Sequence, residues 1–161
     1  MHGRYTVVEV RDPHLIGQAV WNSLPPSEKE ASITDANAME WAPLDRHCFR
    51  AEPESYRTEY AYTKVGGMYA ARVTDNRATH FRIRSPVMDA IWIILFRRGA
   101  GRLGRPGSQE PAIANTATGL LRNNEPGTWS DHSDGSCRTG LCVPAKLLYR
   151  RLETLDRKSV V

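Results

Sequence analysis

Five histidines, His2, His14, His47, His80 and His132, are the residues of this chain best suited to hold a metal or move a proton. They never occur as His-x-His, and none lies near a glutamate at ligand spacing, so no metal is expected. Ser130-Asp131-His132-Ser133-Asp134 contains the residue types of a hydrolase triad. Consecutive residues in a turn cannot bring nucleophile, base and orienting carboxylate into line, and Ser, Asp and Gly are turn formers. Gly99-Ala-Gly-Arg-Leu-Gly104 spells a G-x-G-x-x-G fingerprint, but Pro106-Gly107 follows where a phosphate cradle needs the start of a helix. Three cysteines, Cys48, Cys137 and Cys142, have no C-x-x-C spacing and read as reduced structural thiols. No catalytic residue and no cofactor is expected, so the chain does not read as an enzyme.

Material for non-covalent binding remains. Tyr60, Tyr62, Tyr69, Phe81, Trp92 and Phe96 fall in segments that read as strands. A small barrel either fills its interior with such side chains or leaves a ligand-sized cavity walled by them. Phe81 and Trp92 are the expected walls, with Tyr69 a further candidate. Ala78-Thr-His-Phe-Arg-Ile-Arg84 alternates strictly, setting His80, Arg82 and Arg84 on one face against Thr79, Phe81 and Ile83. His80 can line a polar cavity or face water, and Arg82 or Arg84 is available for an anionic or polar group of a ligand.

Elements must hold these residues in place. Asp12-Pro13 supplies a cap and a first-turn proline for a short helix through Asn22, which Pro25-Pro26 ends. From Ser27 to Tyr56 the chain is turn-rich, with Met39, Trp41, Leu44 and Phe49 as apolar anchors, and reads as a long ordered connection carrying one or two short elements, closing a segment 1–56 of N-terminal helix and irregular lead-in. Arg57–Val65 and Met68–Val73 alternate around Gly66-Gly67 as successive antiparallel strands. Ala90–Phe96 is apolar on both faces and reads as a central strand covered on each side, followed by a Gly- and Pro-rich hairpin region from Gly99 to Pro111. Short strands separated by turns, with no helix between them, define an antiparallel sandwich or barrel over 57–143. A helix over 144–155 carries Leu147, Leu148, Leu152 and Leu155 as one apolar stripe, which must bury itself against its own domain or a second copy.

The end of the β region hands over to that helix through Gly119-Leu-Leu-Arg-Asn-Asn-Glu-Pro-Gly-Thr-Trp-Ser-Asp-His-Ser-Asp-Gly-Ser-Cys-Arg-Thr-Gly-Leu-Cys-Val-Pro144 and Ala145-Lys-Leu-Leu-Tyr-Arg-Arg-Leu-Glu-Thr-Leu155. A Pro-Gly turn, an Asp-Gly hairpin signal and a Val-Pro helix start succeed one another there. This hand-over resembles the amino-terminal sensing domain of AraC-type transcription regulators. The resemblance extends back through Asp89-Ala-Ile-Trp-Ile-Ile-Leu-Phe-Arg-Arg-Gly-Ala-Gly-Arg-Leu-Gly-Arg-Pro-Gly107 and more loosely to Ala42-Pro-Leu-Asp-Arg-His-Cys-Phe-Arg50. It implies a mainly β fold, an antiparallel cupin-like jelly-roll barrel with a short N-terminal helix and a C-terminal helix. It also implies a ligand-sensing and dimerisation domain, with a small-molecule effector as ligand and Leu148, Leu152 and Leu155 as a homodimer seam. DNA would be bound only through a C-terminal helix-turn-helix domain, for which no recognition helix is found in this chain. One rival is a cupin-like metal enzyme, a small isomerase or oxygenase using His80, His132 or His47. Such enzymes carry two histidines one residue apart, a pattern absent here. The other rival is a stand-alone interaction module.

The 161 residues make one domain's worth of chain, and the net charge of +4 is too small and too scattered for this domain alone to read DNA. No apolar run approaches the ~20 residues of a membrane helix, and the N-terminus lacks the layout of a secretory signal, so a cytoplasmic address is expected. Asp156-Arg-Lys-Ser-Val-Val161 leaves the helical pattern without a cap. It matches a translation of GAT CGG AAG AGC GTC GTG, a sequencing-adapter arm, so 156–161 is expected to be a non-native tail.

Overall fold

Strands that alternate apolar and polar residues have one face to bury, and here they do so by stacking two antiparallel sheets. The computed structural model describes residues 5–24, 38–44, 56–85, 87 and 89–158. In chain order these form strand β1 (Thr6–Val10), a 3-10 turn (Pro13–Leu15), helix α1 (Ile16–Ser23) and strand β2 (Met39–Pro43). Strands β3 (Thr58–Val65), β4 (Met68–Asp75), β5 (Thr79–Ile83), β6 (Ala90–Arg98) and β7 (Gly101–Gly104) follow. Strands β8 (Ala112–Ala114), β9 (Gly119–Asn123), β10 (Trp129–His132) and β11 (Cys137–Pro144) lead into helix α2 (Ala145–Lys158).

One sheet has the order β1-β3-β4-β11-β6-β9 and the other β2-β5-β10-β7-β8. From β5 onward the chain crosses between sheets at nearly every connection, which is the wiring of a jelly roll. The expected fold class is therefore observed: mainly antiparallel β, with a short helix near each end. Gly66 and Gly67, at φ of 57° and 84°, make the tight hairpin between β3 and β4 that their sequence announces. Pro126-Gly127 and Asp134-Gly135 do something else. β9 and β11 belong to one sheet and β10 to the other, so these turns are corners between sheets rather than the hairpin read from Asp134-Gly135.

Two strands fall inside segment 1–56: β2 is a short element of the kind expected between Ser27 and Tyr56, and β1 was not expected. β1 and β2 are the outer strands of their sheets, each bonded on one side only, and Pro43 at the end of β2 suits such an edge. β1, Thr6-Val-Val-Glu-Val10, carries little apolar–polar alternation, which is why it was silent in the sequence. The helix expected from Asp12 begins as a 3-10 turn, with the Asp12 carboxylate accepting the His14 amide at 3.0 Å. Pro25-Pro26, His2, His47, Cys48 and Phe49 lie outside the described residues.

Trp92, Ile94 and Phe96 of β6 point into the core with Phe81, Ile83 and Leu103 of the facing sheet. The other face of β6 is not covered as expected: Ile93 is 41% exposed and Leu95 53%. Their apolar character made a two-sided burial look necessary, but the second layer packs on one face only. Helix α2 projects similarly. Ala145 is buried, Leu147 and Leu148 are half-buried, and Leu152 and Leu155 are each 51% exposed, so the stripe is not absorbed by its own domain.

A polar cluster closes one end of the core. Asp75, fully buried, accepts from Arg138 at 2.5 Å and from the Thr58 hydroxyl at 2.6 Å. The Tyr56 hydroxyl lies 2.7 Å from Thr58 Oγ1 and 3.1 Å from Thr79 Oγ1. Each of these groups is desolvated and would be costly without its neighbours.

Candidate ligand-binding cavity

The smallest side chains of two central strands are placed side by side. Gly140 of β11 pairs with Ala71 of β4, flanked by Tyr62 of β3 beyond Ala71 and Ile94 of β6 beyond Gly140. A glycine beside an alanine on the inner face leaves a hollow of about 90 Å³ between the sheets. Gly140 is needed for a second reason: a Cβ there would sit 3.0 Å from Cε3 of the Trp92 indole, which lies over it. Met39, Trp41 and Phe81 of the facing sheet roof the hollow, and Val20 and Leu24 at the end of α1 close one side. Trp41 and Phe81 pack with ring centroids 4.9 Å apart. The Ser23 hydroxyl lies 2.7 Å from the Tyr62 hydroxyl, tying α1 to the cavity wall.

Three side chains with basic nitrogen groups enter this apolar space: Arg122, Arg138 and His132. Arg122 stands opposite Trp92 in the β6–β9 register, with its guanidinium carbon 4.3 Å from the Phe81 ring centre and 5.5 Å from that of Trp92. Those faces hold the guanidinium by cation–π attraction but supply no acceptor. Its Nε has no hydrogen-bond partner among the described residues, and burial pushes its pKa down to about 10. Arg138 is balanced by Asp75. His132 is buried, and burial, with Arg138, Arg122 and His80 adding repulsion, holds its pKa well below 6.5. It is neutral at pH 7, and neither ring nitrogen has a partner among the described residues. The Trp92 indole N–H is likewise buried without a partner. Burial pushes the Tyr60 hydroxyl up to about 12, and Tyr60 stays protonated.

Of the residues singled out in the sequence, Tyr69, Phe81 and Trp92 line the cavity. His80, Arg82 and Arg84 do not. Strand alternation sends them to the outer face of the second sheet. There Arg84 bonds Glu40 through Nε at 2.8 Å and a terminal nitrogen at 2.7 Å, while Arg82 is exposed. His80 Nδ1 lies 2.6 Å from Asp131, which also takes Arg102 at 2.5 Å, and the His80 ring stacks on Trp129. The candidate cation for a ligand is thus Arg122, not Arg82 or Arg84. The sequence held a signal for it: in Gly119-Leu-Leu-Arg-Asn123, period two puts Arg122 on the face of Leu120, which is buried. Arg138, Gly140 and Cys142 share a face of β11 in the same way. Burial pushes the Cys142 thiol up to about 12, which leaves it inert.

His80 and His132 occupy opposite faces of the second sheet, and no group of three or more His, Cys, Asp or Glu is placed to hold a metal ion among the described residues. No helix among them is long and apolar enough to cross a membrane.

The two-sheet jelly roll is a cupin-like fold, and comparison with known structures shows the same. The chain is similar to the AraC-like transcriptional activator CuxR at 15% identity and a TM-score of 0.62, over 95% of this chain and 52% of that one. It spans about half the length of that activator. Weaker likenesses are to the cupin domain of Schizosaccharomyces pombe Cnp3 (12% identity, TM-score 0.43, over 60% of this chain and 71% of that one). An RmlC-like cupin protein from Desulfovibrio desulfuricans matches at 11% identity and TM-score 0.45, over 64% of this chain and 95% of that one. No family model and no curated protein matches the sequence.

Proposed function

We propose that this chain is the ligand-sensing and dimerisation domain of an AraC-type transcription regulator, with a small-molecule effector binding between the two sheets. The observation that carries the reading is the hollow beside Gly140. It is partly open to solvent, walled by aromatic rings, bounded by α1 and supplied with polar groups that have no partner among the described residues. The likeness of 95% of the chain to half of an AraC-like activator supports the fold and the arrangement of domains. An effector there touches Val20, Leu24 and Tyr62, and through Tyr62 the Ser23 hydroxyl, so its binding energy favours one position of α1 over others. Such differential contact is all that a population shift requires. The exposed stripe of α2, with Leu148, Leu152 and Leu155, pairs two copies and relays the shift to DNA-binding domains outside this sequence.

A thermal-shift screen of small metabolites tests the reading on the wild type and on Ala71→Met, whose flexible side chain fills the hollow. The expected result is at least one metabolite that raises the wild-type Tm and leaves Ala71→Met unchanged. The reading fails if no metabolite does so, or if every hit acts equally on both. Metal analysis of the same preparation separates it from a metal-dependent enzyme of this fold, which would purify with about one metal ion per chain.

A further inference from the structure

Among the described residues the cavity carries a positive charge with no counter-charge. Arg138 is paired with Asp75, His132 is neutral, and among the described residues no carboxylate faces Arg122, which is only 7% exposed. A buried ion without a counter-charge is strongly disfavoured, and sequences keep one where a partner arrives from outside. The remaining unsatisfied polar atoms around Arg122 also lack a negative charge. Trp92 offers an N–H, and neutral His132 offers one N–H and one lone pair. Phe81 and Trp92 fix the guanidinium, so its donors are held before a ligand enters. The rest of the wall, Trp41, Tyr62 and Ile94, is apolar or aromatic. The hollow, about 90 Å³ and partly open to solvent, takes the apolar end of a small acid and has no room for a nucleotide.

We propose that the ligand of this cavity is a small organic anion, a monocarboxylate with an apolar or aromatic body, whose carboxylate is bound by Arg122. The inference rests on the reading of the hollow as an effector site and names the chemistry that the site selects. Arg122 closes a charge-assisted, two-pronged contact with the carboxylate, and the apolar body fills the space over Gly140 and Ala71.

The test uses the full chain and three probes at equal ionic strength: phenylacetate, its uncharged isostere phenylacetamide, and inorganic sulfate. Thermal melts are recorded for the wild type, Arg122→Met and the outer-face control Arg82→Met. Phenylacetate at a hundredfold excess over its Kd is expected to raise the wild-type Tm by about 5–10 °C, and that of Arg82→Met equally. Phenylacetamide and sulfate are expected to shift it by less than about a tenth of that amount. Arg122→Met is expected to lose the response and to melt higher than the unliganded wild type, because an unpaired buried charge has been removed.

Equal shifts by phenylacetate and phenylacetamide, retained in Arg122→Met, would overturn the anion and leave the effector site standing. No shift with phenylacetate overturns it too, and the effector site then depends on the neutral members of the metabolite screen. A lower Tm for unliganded Arg122→Met shows that the arginine already has its partner, which contradicts the proposal. If that variant does not fold, the comparison of phenylacetate with phenylacetamide on the wild type decides alone.

Discussion

Asp75 and Arg138 form the kind of pair whose value shows when one partner is removed. Asp75→Asn leaves Arg138 charged, buried and near a second unpaired arginine, so it is expected to cost about 3–5 kcal/mol in urea denaturation. A loss below about 1 kcal/mol contradicts that accounting. His132 sets the acid limb. Its pKa in the folded protein is depressed by burial, so in the pH range below 6.5 the unfolded chain binds a proton that the folded chain refuses. Stability is then fully present above about pH 6.5 and falls as pH drops, by at most about 1.4 kcal/mol per pH unit for this one group. His132→Leu is expected to flatten that slope between pH 6.5 and 5, read from denaturation midpoints. An unchanged slope assigns the acid sensitivity elsewhere. At this scale the apolar half of the cavity was legible in the sequence and the polar half was not. Phe81 and Trp92 are large and must be buried somewhere. An arginine reads as solvent-facing unless its strand register is known, and that register set Arg122 opposite Trp92.

Element boundaries decide which of these side chains meet. The pairing of Gly140 with Ala71 makes the hollow, so Gly140→Ala is expected to push the Trp92 ring and cost about 1–3 kcal/mol, with weaker ligand binding measured on the same protein. A variant as stable as the wild type with unaltered binding contradicts the role given to Gly140. The strands from β3 to β6 were legible because alternation and glycine punctuation are local signals. The corners at Pro126-Gly127 and Asp134-Gly135 were legible as turns but not as sheet crossings. A turn dipeptide fixes the backbone at one point and says nothing of which sheet the next strand joins. The exposed face of β6 shows the same limit, since Ile93 and Leu95 are as apolar as Ile94 and only packing tells them apart.

For the molecule as a whole, apolar surface remains on α2 and on the outer face of the six-stranded sheet, at Val7, Ile93 and Leu95. If α2 pairs two copies, Leu152→Glu with Leu155→Glu raises the dimer dissociation constant at least about tenfold in sedimentation equilibrium. Both positions are half-exposed, so the stability of the monomer should change by less than about 0.5 kcal/mol per site. A wild type that sediments as a monomer at all concentrations refutes the seam.

If ligand enters the space between the sheets, the four tryptophans report on it. Trp41 and Trp92 line the cavity, whereas Trp129 stacks with His80 on the outer face. The measurement is an indole N–H correlation spectrum recorded during titration with phenylacetate and with the hits of the metabolite screen. The Trp92 resonance is expected to move to saturation, with Trp41 following and Trp129 unmoved. Movement confined to Trp129, or none in Trp92, contradicts it.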